Sequence, residues 1–349
     1  MYMLEMVKEL CALNGVSSFE EPVRAYIRKK AEPYATDMRV DAVGNLIIFK
    51  KGKKSTGNTL MLTAHMDEVG FIVRRITDDG YLKFDTVGGI DRRVIIGKPV
   101  QVGPNNLPGV IGLKAYHLVS REEEKKVPKI EDLYVDIGVN TGKEAENKVE
   151  IGDYIAFQSD CVEFGDHMLK AKAIDDRIGC AVMLSLLETD LPMDCTFVFS
   201  VQEEVGTRGA FGAAFSVKPK IALILEGTTA ADSPAMEPHK KVCIPGNGPV
   251  VPFMDGGSIY DRKLFELLRD LAETHQIPWQ TKHYISGGTD AGAIQRSREG
   301  VRVAAISAAV RYLHAPSSVA SCDDFENILK LAKLFIAEIA AQEEQPWIF

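Results

Sequence analysis

The spacing of apolar residues changes twice along the chain, and this change is the strongest constraint on its fold. Up to about residue 69, and again from about residue 165, continuous apolar runs alternate with stretches of helical periodicity. Between them the segments are short, alternate between apolar and polar residues, and are separated by turn signals such as "DDG", "GG" and "GPNNLPG". We therefore predict an α/β domain built from residues 1–66 and 165–349. It is interrupted by a small β domain, a barrel or a sandwich, over residues 67–164.

Local signals predict individual elements of the α/β segments. Ser18 followed by Glu21 has the pattern of a capping box, which predicts a helix from about residue 20 to residue 32. Gly44 and Asn45 separate two apolar segments and predict a hairpin. The run "NTLMLTAH" indicates a strand buried on both faces of a mainly parallel sheet. The later predicted elements are the helix "DDRIGCAVMLSLLE", the strands "CTFVFSV", "IALILE" and "VRVAAIS", and the helices "YDRKLFELLRDLAETH" and "DDFENILKLAKLFIAEIAAQ".

Composition excludes several classes of partner. The formal net charge is -8 and the sequence has no basic stripe, so neither a nucleic acid nor an anionic membrane is expected as a partner, and small substrates are favoured. The six cysteines are scattered without a CxxC pair, which is typical of a reduced, cytoplasmic protein. The amino-terminal segment lacks the apolar stretch of a signal peptide, and no run of about eighteen apolar residues predicts a membrane span.

Polar side chains follow the apolar runs of the α/β segments, where ligands bind in open sheets. Each alone has a simpler explanation. Asp175 or Asp176 could cap a helix, His65 could be a hydrogen-bonded buried histidine, and Glu226 could pair with an arginine such as Arg208. Their joint occurrence at element ends nevertheless favours a metal site. The candidates are His65, Asp67, Asp175, Asp176, Glu203, Glu204, Glu226 and His314.

The donor types indicate which metals such a site would bind. Imidazole nitrogens and carboxylate oxygens without thiolates suit Zn²⁺, Co²⁺ or Mn²⁺, and about three protein ligands per ion leave a position open for water. Five ligands can serve two ions only if one of them bridges, and Asp175 is the best candidate for that role. Glu204 would bind metal and Glu203 would act as general base, although two residues at a strand end can face either way. Asp67 would assist catalysis by orienting His65.

The motifs "AHMDEVGF", "KAIDDR", "QEEVGTRGA", "EGTTAAD", "SGGTDAGAIQ" and "RYLHAP", in this order, resemble those of the co-catalytic metallo-aminopeptidases of the tetrahedral TET type. That family includes glutamyl and deblocking aminopeptidases and proteins named cellulase M. The resemblance covers essentially the whole chain, and it implies a zinc-peptidase-like α/β/α sandwich with an inserted small β-barrel for dimerisation and as a lid. It also implies dimers that assemble into a dodecamer whose active sites face an inner cavity.

The same resemblance implies a role for each residue of the site. One ion would be bound by His65 and Glu226 and the other by Glu204 and His314, with Asp175 bridging and Glu203 as general base. Family members carry Asp or Glu at position 226, so Glu226 lengthens one ligand arm. The implied reaction is release of the N-terminal residue of a peptide by metal-activated water.

Two further expectations concern the loops of the site. Related dinuclear peptidases have a strained turn after the bridging aspartate, so we expect the Asp175–Asp176 peptide bond to be cis. The glycine-rich "SGGTDAG" segment is a candidate for contacts with the substrate through Gly287, Gly288 and Asp290. The sequence does not reveal which N-terminal residue is preferred.

Other functions remain open at this stage. A metal-independent endoglucanase-type glycosidase would need two carboxyl groups about 5 to 9.5 Å apart and would leave both histidines without a role. A dinuclear deacetylase or carboxypeptidase would need a cation for the substrate carboxylate, and Arg208 or Arg311 could supply it. A metal-bound peptide-binding protein without turnover would have no use for Glu203.

Overall fold

The strands form two separate structures, a nine-stranded sheet and a closed six-stranded barrel. The computed structural model describes residues 2–234 and 236–342. In chain order the strands are β1 (Asp37–Val40), β2 (Leu46–Lys50), β3 (Leu60–His65), β4 (Gly70–Ile76), β5 (Leu82–Val87), β6 (Pro99–Val102), β7 (Leu107–Gly112), β8 (Tyr134–Asp136), β9 (Tyr154–Phe157), β10 (Val162–Phe164), β11 (Met168–Ala171), β12 (Cys195–Ser200), β13 (Ile221–Thr229), β14 (Arg302–Arg311) and β15 (Ser318–Ser321). The helices are α1 (Tyr2–Ala12), α2 (Glu21–Ala31), α3 (Gly142–Glu146), α4 (Ile174–Leu187), α5 (Arg208–Val217), α6 (Arg262–Thr274), α7 (Ala291–Gln295) and α8 (Cys322–Ala341).

The sheet is mixed, with its parallel strands at the centre. Its order is β1-β2-β12-β3-β13-β14-β15-β11-β10. The three pairings among β12, β3, β13 and β14 are parallel, and the five outer pairings are antiparallel. The prediction of a mainly parallel sheet is therefore wrong, because hairpin-type connections extend both edges. The parallel centre still brings the carboxyl ends of four strands to one side of the sheet.

Helices cover both faces of the sheet. In β12, Phe197 and Phe199 belong to the larger core together with α4 and α8, whereas Val198 packs in the smaller core with α5 and α7. β3 is buried along its whole length, as the run "NTLMLTAH" predicts. This alternation of side chains between two buried faces produces the predicted α/β/α arrangement.

The barrel closes in the order β4-β5-β8-β7-β6-β9 and has its own apolar core. Phe71 lies at its centre, with its ring centroid 4.9 Å from that of Phe84 and 5.2 Å from that of Phe157. Edge-to-face packing of this kind stabilises a small core beyond its buried area. All barrel strands lie between residues 70 and 157, and the short strand β10 that follows pairs with β11 at the edge of the sheet. The α/β fold with a small β-barrel is thus confirmed.

Some local predictions succeed and others fail. β1 and β2 form the hairpin expected around Gly44 and Asn45. Helix α2 is present, but Ser18 does not cap it: Ser18 has φ 78° and its backbone N–H donates to Glu20 Oε1 at 2.7 Å. The capping-box prediction is therefore wrong. The residue at the N-cap position of this helix is Glu20, and Ser18 lies two residues before it. In the described part of the chain, no helix is both long and apolar enough to cross a membrane.

Candidate metal centre

The predicted ligands meet at the carboxyl ends of the central parallel strands. β3 ends at His65, and Glu203 and Glu204 follow the end of β12. Glu226 lies within β13. The last residue of β13 that pairs with β3 is Ile224, opposite Thr63, so the same register places Glu226 level with His65. The remaining two are His314, which follows β14, and Asp175, in the first turn of α4.

Asp175 lies between two pairs of potential ligands. Its Oδ1 is 3.3 Å from Nε2 of His65, and that same nitrogen is 3.3 Å from Oε1 of Glu226. Its Oδ2 is 3.6 Å from Nε2 of His314, which is 3.1 Å from Oε2 of Glu204. Each carboxylate oxygen of Asp175 therefore faces a different His–Glu pair. This is the arrangement that a bridging carboxylate requires.

The spacing of these atoms fits divalent metal ions. Ligands placed tetrahedrally about 2.0 to 2.1 Å from Zn²⁺ are about 3.3 Å from one another. The side chains of Asp175, Glu204 and Glu226 are only 11%, 4% and 5% exposed. Buried carboxylates at this density need cationic compensation, which two imidazoles alone cannot fully supply. The types of donor atom and their spacing therefore fit divalent metal ions such as Zn²⁺.

The neighbouring carboxylates raise the pKa of both imidazoles of the site. Burial lowers the pKa of His314, but Asp175 and Glu204 outweigh it and raise the pKa to about 11. Burial also opposes the charge on His65, yet Glu226 and Asp175 raise its pKa well above the ordinary value. Metal binding must therefore displace protons from the imidazoles, so metal affinity rises with pH.

Asp67 organises the site from behind. Its Oδ1 accepts the backbone N–H of Glu203 at 3.0 Å, and its Oδ2 accepts that of Glu204 at 3.1 Å and the hydroxyl of Ser17 at 2.6 Å. The backbone carbonyl of Asp67 lies 3.0 Å from Nδ1 of His65. Because a carbonyl only accepts, Nδ1 of His65 carries the proton and Nε2 is left to bind metal. Asp67 is fully buried, and these contacts fit the orienting role predicted for it.

Asp176 lies close to the centre but has both oxygens engaged. One ligand atom each from His65, Asp176 and Glu226 lie within 4.8 Å of one another. However, Asp176 Oδ2 accepts the backbone N–H of His65 at 3.1 Å, and Oδ1 accepts that of Gly179 at 3.0 Å. Asp176 therefore fixes the start of α4 and the end of β3, close to the capping role weighed from the sequence. The peptide bond between Asp175 and Asp176 is cis, as predicted.

Gly227 explains how Asp175 reaches the centre. A Cβ atom at position 227 would lie 2.8 Å from Cβ of Asp175 and 3.0 Å from its Cα. Real Cβ atoms do not approach other atoms so closely, so only glycine lets the first turn of α4 pack against β13. The glycine that follows Glu226 therefore allows Asp175 to stand next to that ligand.

Glu203 differs from the ligands in its position and environment. Its Oε2 is 3.9 Å from Nε2 of His65, farther than the ligand contacts, and its side chain lines the cavity. Burial raises the pKa of Glu203 well above its ordinary value, and although His65 lowers it, the neighbouring carboxylates Glu226, Asp290 and Glu204 raise it further. A carboxylate with a raised pKa beside an open position is suited to accept and return a proton.

A cavity of about 110 Å³ opens beside the ligands. Gly287 and Gly288 line it. Asp290 is only 1% exposed and accepts the hydroxyl of Ser200 at 2.6 Å. Contact of these three residues with the substrate stays a prediction. Arg311 donates to Asp232 through three hydrogen bonds of 2.8, 3.0 and 2.6 Å.

The sequence analysis missed one cation in this cavity. Lys282 lines the wall although it is only 4% exposed, and its Nζ donates to the backbone carbonyl of Ser286 at 3.2 Å. Burial lowers the pKa of Lys282, although the charge of Asp255 raises it in part. A single lysine between unrelated residues carries no sequence signal, so only the folded chain reveals it.

Comparison with known proteins identifies the family. The model of the M42 glutamyl aminopeptidase family matches residues 44–331 of this chain. A lysyl aminopeptidase of Pyrococcus furiosus is 30% identical over 98% of this chain and 99% of its own. An aminopeptidase of the archaeon Desulfurococcus kamchatkensis has a TM-score of 0.92 at 33% identity and covers 100% of this chain and 99% of that one.

The similarity extends to a protein that forms large assemblies. The TET1 peptidase of Pyrococcus horikoshii, which can assemble into a tetrahedron or a large octahedral shell, has a TM-score of 0.85 at 32% identity and covers 98% of this chain and 100% of that one. The match spans both the sheet and the barrel. This chain therefore belongs to the M42 glutamyl aminopeptidase family, a family of metal-dependent peptidases, and is a peptide hydrolase.

Proposed function

We propose that this protein is a dinuclear aminopeptidase that removes N-terminal residues from peptides, with Glu203 as general base. The observation that carries the proposal is the position of Asp175, whose two oxygens face separate His–Glu pairs. A mononuclear site would need only one such pair. The proposed ligands are His65 and Glu226 for one ion and Glu204 and His314 for the other, with Asp175 shared.

Two ions, Zn²⁺ or Co²⁺ with Mn²⁺ as a further possibility, would supply Lewis acidity for the scissile carbonyl and acidify the attacking water. The protein supplies the proton transfers. Glu203 accepts a proton from the water as it attacks and then donates it to the nitrogen of the leaving amine. Asp67 holds the backbone N–H of Glu203 at 3.0 Å and thereby keeps the base beside the cavity.

Restriction to the N-terminal residue would follow from recognition of the free α-amino group of the substrate. That group could bind one of the two ions or a nearby carboxylate such as Glu203, which lines the cavity. An internal peptide bond has no such group to offer. Attack is therefore directed to the first peptide bond.

Lys282 favours an acidic side chain on that first residue. Two divalent ions would balance the charges of Asp175, Glu204, Glu226 and Glu203, which leaves the ammonium of Lys282 as the excess charge of the wall. A substrate carboxylate entering the cavity would gain a charge-assisted hydrogen bond there. The chain is thus proposed to act like the glutamyl rather than the lysyl aminopeptidases among its relatives.

The remaining proposals concern organisation and location. Residues 1–66 and 165–349 would form the catalytic domain, and residues 67–164 would form a dimerisation and lid domain, with dimers assembling into a dodecamer. The TET1 peptidase supports the assembly by similarity alone. A cytoplasmic location is supported by six cysteines that are all free.

The test is a screen of aminoacyl p-nitroanilides after chelation and after addition of Zn²⁺, Co²⁺ or Mn²⁺. We expect turnover only with metal, the fastest with Glu-p-nitroanilide, and none with N-acetylated peptides. Preferential cleavage of N-acetylated peptides would favour the deacetylase or carboxypeptidase. Hydrolysis of a cellulose oligomer after exhaustive chelation would favour the glycosidase.

A further inference from the structure

His314 receives its second hydrogen-bond partner from the barrel. Its Nδ1 lies 2.8 Å from the backbone carbonyl of Gly89, in the loop that follows barrel strand β5. The other histidine of the centre is His65, and its corresponding partner is the backbone carbonyl of Asp67. Asp67 lies two residues after the end of sheet strand β3. The two imidazoles are therefore oriented by different parts of the molecule.

The contact with Gly89 decides which nitrogen of His314 can bind metal. A carbonyl oxygen only accepts, so Nδ1 of His314 must carry the proton. Nε2 then presents its lone pair toward Glu204 and Asp175, which lie 3.1 and 3.6 Å away. Without the barrel carbonyl, the ring would be free to rotate and to exchange tautomers.

Gly88 allows the loop to approach so closely. Its φ is +82°, and a Cβ atom there would lie 2.8 Å from Cγ1 of Val69 and 3.4 Å from both Cβ and the backbone oxygen of Glu204. The approach to Glu204 is an ordinary van der Waals distance, but the 2.8 Å approach to Val69 is a clash, so the loop would have to shift. Such a shift would move the carbonyl of the next residue, Gly89, away from His314.

We propose that the Gly88–Gly89 loop is a positioning element for one half of the metal centre. It fixes His314 and packs against Glu204, so the ion held by these two residues depends on the placement of the barrel. His65, the imidazole ligand of the other ion, is oriented by the carbonyl of Asp67 instead of by this loop. The inference rests on the dinuclear centre of the proposed function and adds to it an inequality between its two halves.

The test is the Gly88→Ala variant of the full chain, titrated with Co²⁺ and followed by calorimetry and visible absorption. We expect one of the two ions to bind at least about 10-fold more weakly, as is usual when the outer partner of a metal-binding histidine is disturbed. The other ion should keep its affinity. Excess Co²⁺ should restore the absorption of the second site.

Gly97→Ala is the matched control. Gly97 also lies in the barrel segment and has φ +72°, but no heavy atom would lie within 4 Å of its new Cβ. It therefore measures the cost of a positive φ alone, and we expect both ions to bind as in the wild type. The double variant Val69→Ala/Gly88→Ala removes the 2.8 Å clash and leaves only ordinary contacts with Glu204, so the loop should return to its place and both ions should bind as in the wild type. Persistent weakening of one ion in the double variant would contradict the role of this clash.

The outcomes separate this inference from the proposed function. Wild-type protein that binds only one ion would overturn the dinuclear centre itself. Two ions in the wild type, with both affinities unchanged in Gly88→Ala or both reduced equally, would overturn the role of the loop alone. Equal weakening in Gly97→Ala would also overturn it, because strain in the barrel would then suffice.

Discussion

The adjacent glutamates should fail differently when each is replaced by glutamine. Glu203→Gln keeps the size of the side chain but cannot accept a proton. Since Glu203 Oε2 is 3.9 Å from the nearest imidazole nitrogen, beyond the ligand contacts of 3.1 to 3.6 Å, both ions should remain bound. Glu204→Gln instead replaces the carboxylate 3.1 Å from His314 by a neutral amide, so the ion on that side should weaken.

The expected losses can be sized. Removal of a general base reduces turnover by about 10² to 10⁴-fold, which corresponds to about 2.7 to 5.4 kcal/mol of transition-state stabilisation. Added metal should not restore it. In Glu204→Gln the loss should depend on metal concentration, and excess Zn²⁺ or Co²⁺ should recover part of the activity because the defect is one of occupancy.

Metal content after gel filtration, together with kcat measured at several metal concentrations, distinguishes the two variants. Each variant serves as the other's control, because the substitution and the strand end are the same. The assignment is reversed if Glu203→Gln loses an ion and responds to metal while Glu204→Gln retains both ions and does not.

Two further predictions concern protonation. Asp290 is one of the charges that raise the pKa of Glu203, and Glu203 can act as a base only when it is deprotonated. Asp290→Asn should therefore lower this pKa and move the acid limb of the kcat/KM profile to lower pH. An unmoved acid limb would contradict the electrostatic argument. Asp261 caps α6 through the N–H of Leu264 and pairs with Arg302 at 2.7 Å. Burial opposes its charge, but these contacts hold its pKa below the ordinary value. Asp261→Ala should therefore lower the free energy of unfolding by about 2 to 4 kcal/mol at neutral pH, and Asp261→Asn by less. The stability from a lowered pKa is fully present above the unfolded value of about 3.9 and is lost as the pH falls through the lower folded value. Denaturant titrations should therefore show the difference shrinking progressively below about pH 3.9.

The sequence reveals the elements whose signal is local. β3 and α8 are predicted because a buried strand and a long amphipathic helix each have a distinctive period. Helix α5 is missed because its sequence, "RGAFGAAFSV", is rich in glycine and alanine and exposes Phe211 and Phe215. The antiparallel edges of the sheet are missed because the direction of a strand depends on its neighbours and not on its own residues.

The same distinction applies to the site. His65, Asp175 and Glu226 are identifiable because each follows or precedes an apolar run. The fold then brings an oxygen of each carboxylate to 3.3 Å from Nε2 of His65. Lys282 and the carbonyl of Gly89 are not identifiable, since one is an isolated lysine and the other a backbone atom in a turn. Which of two neighbouring carboxylates faces the metal is also a question of tertiary geometry, as Asp175 and Asp176 demonstrate.

The order of the proposed ligands along the chain has a consequence for biosynthesis. They come from five separate segments between residues 65 and 314, and the whole barrel is synthesised between the first ligand and the second. A ribosome therefore completes the barrel, whose core is independent of the sheet, well before the last histidine is available. The proposed dinuclear centre would therefore be complete only after β14 has joined the sheet, so binding of its second ion would follow folding. A nascent chain that stops before His314 would contain the buried carboxylates but lack their second imidazole. Cellular quality control would then act on a chain whose core is incompletely neutralised.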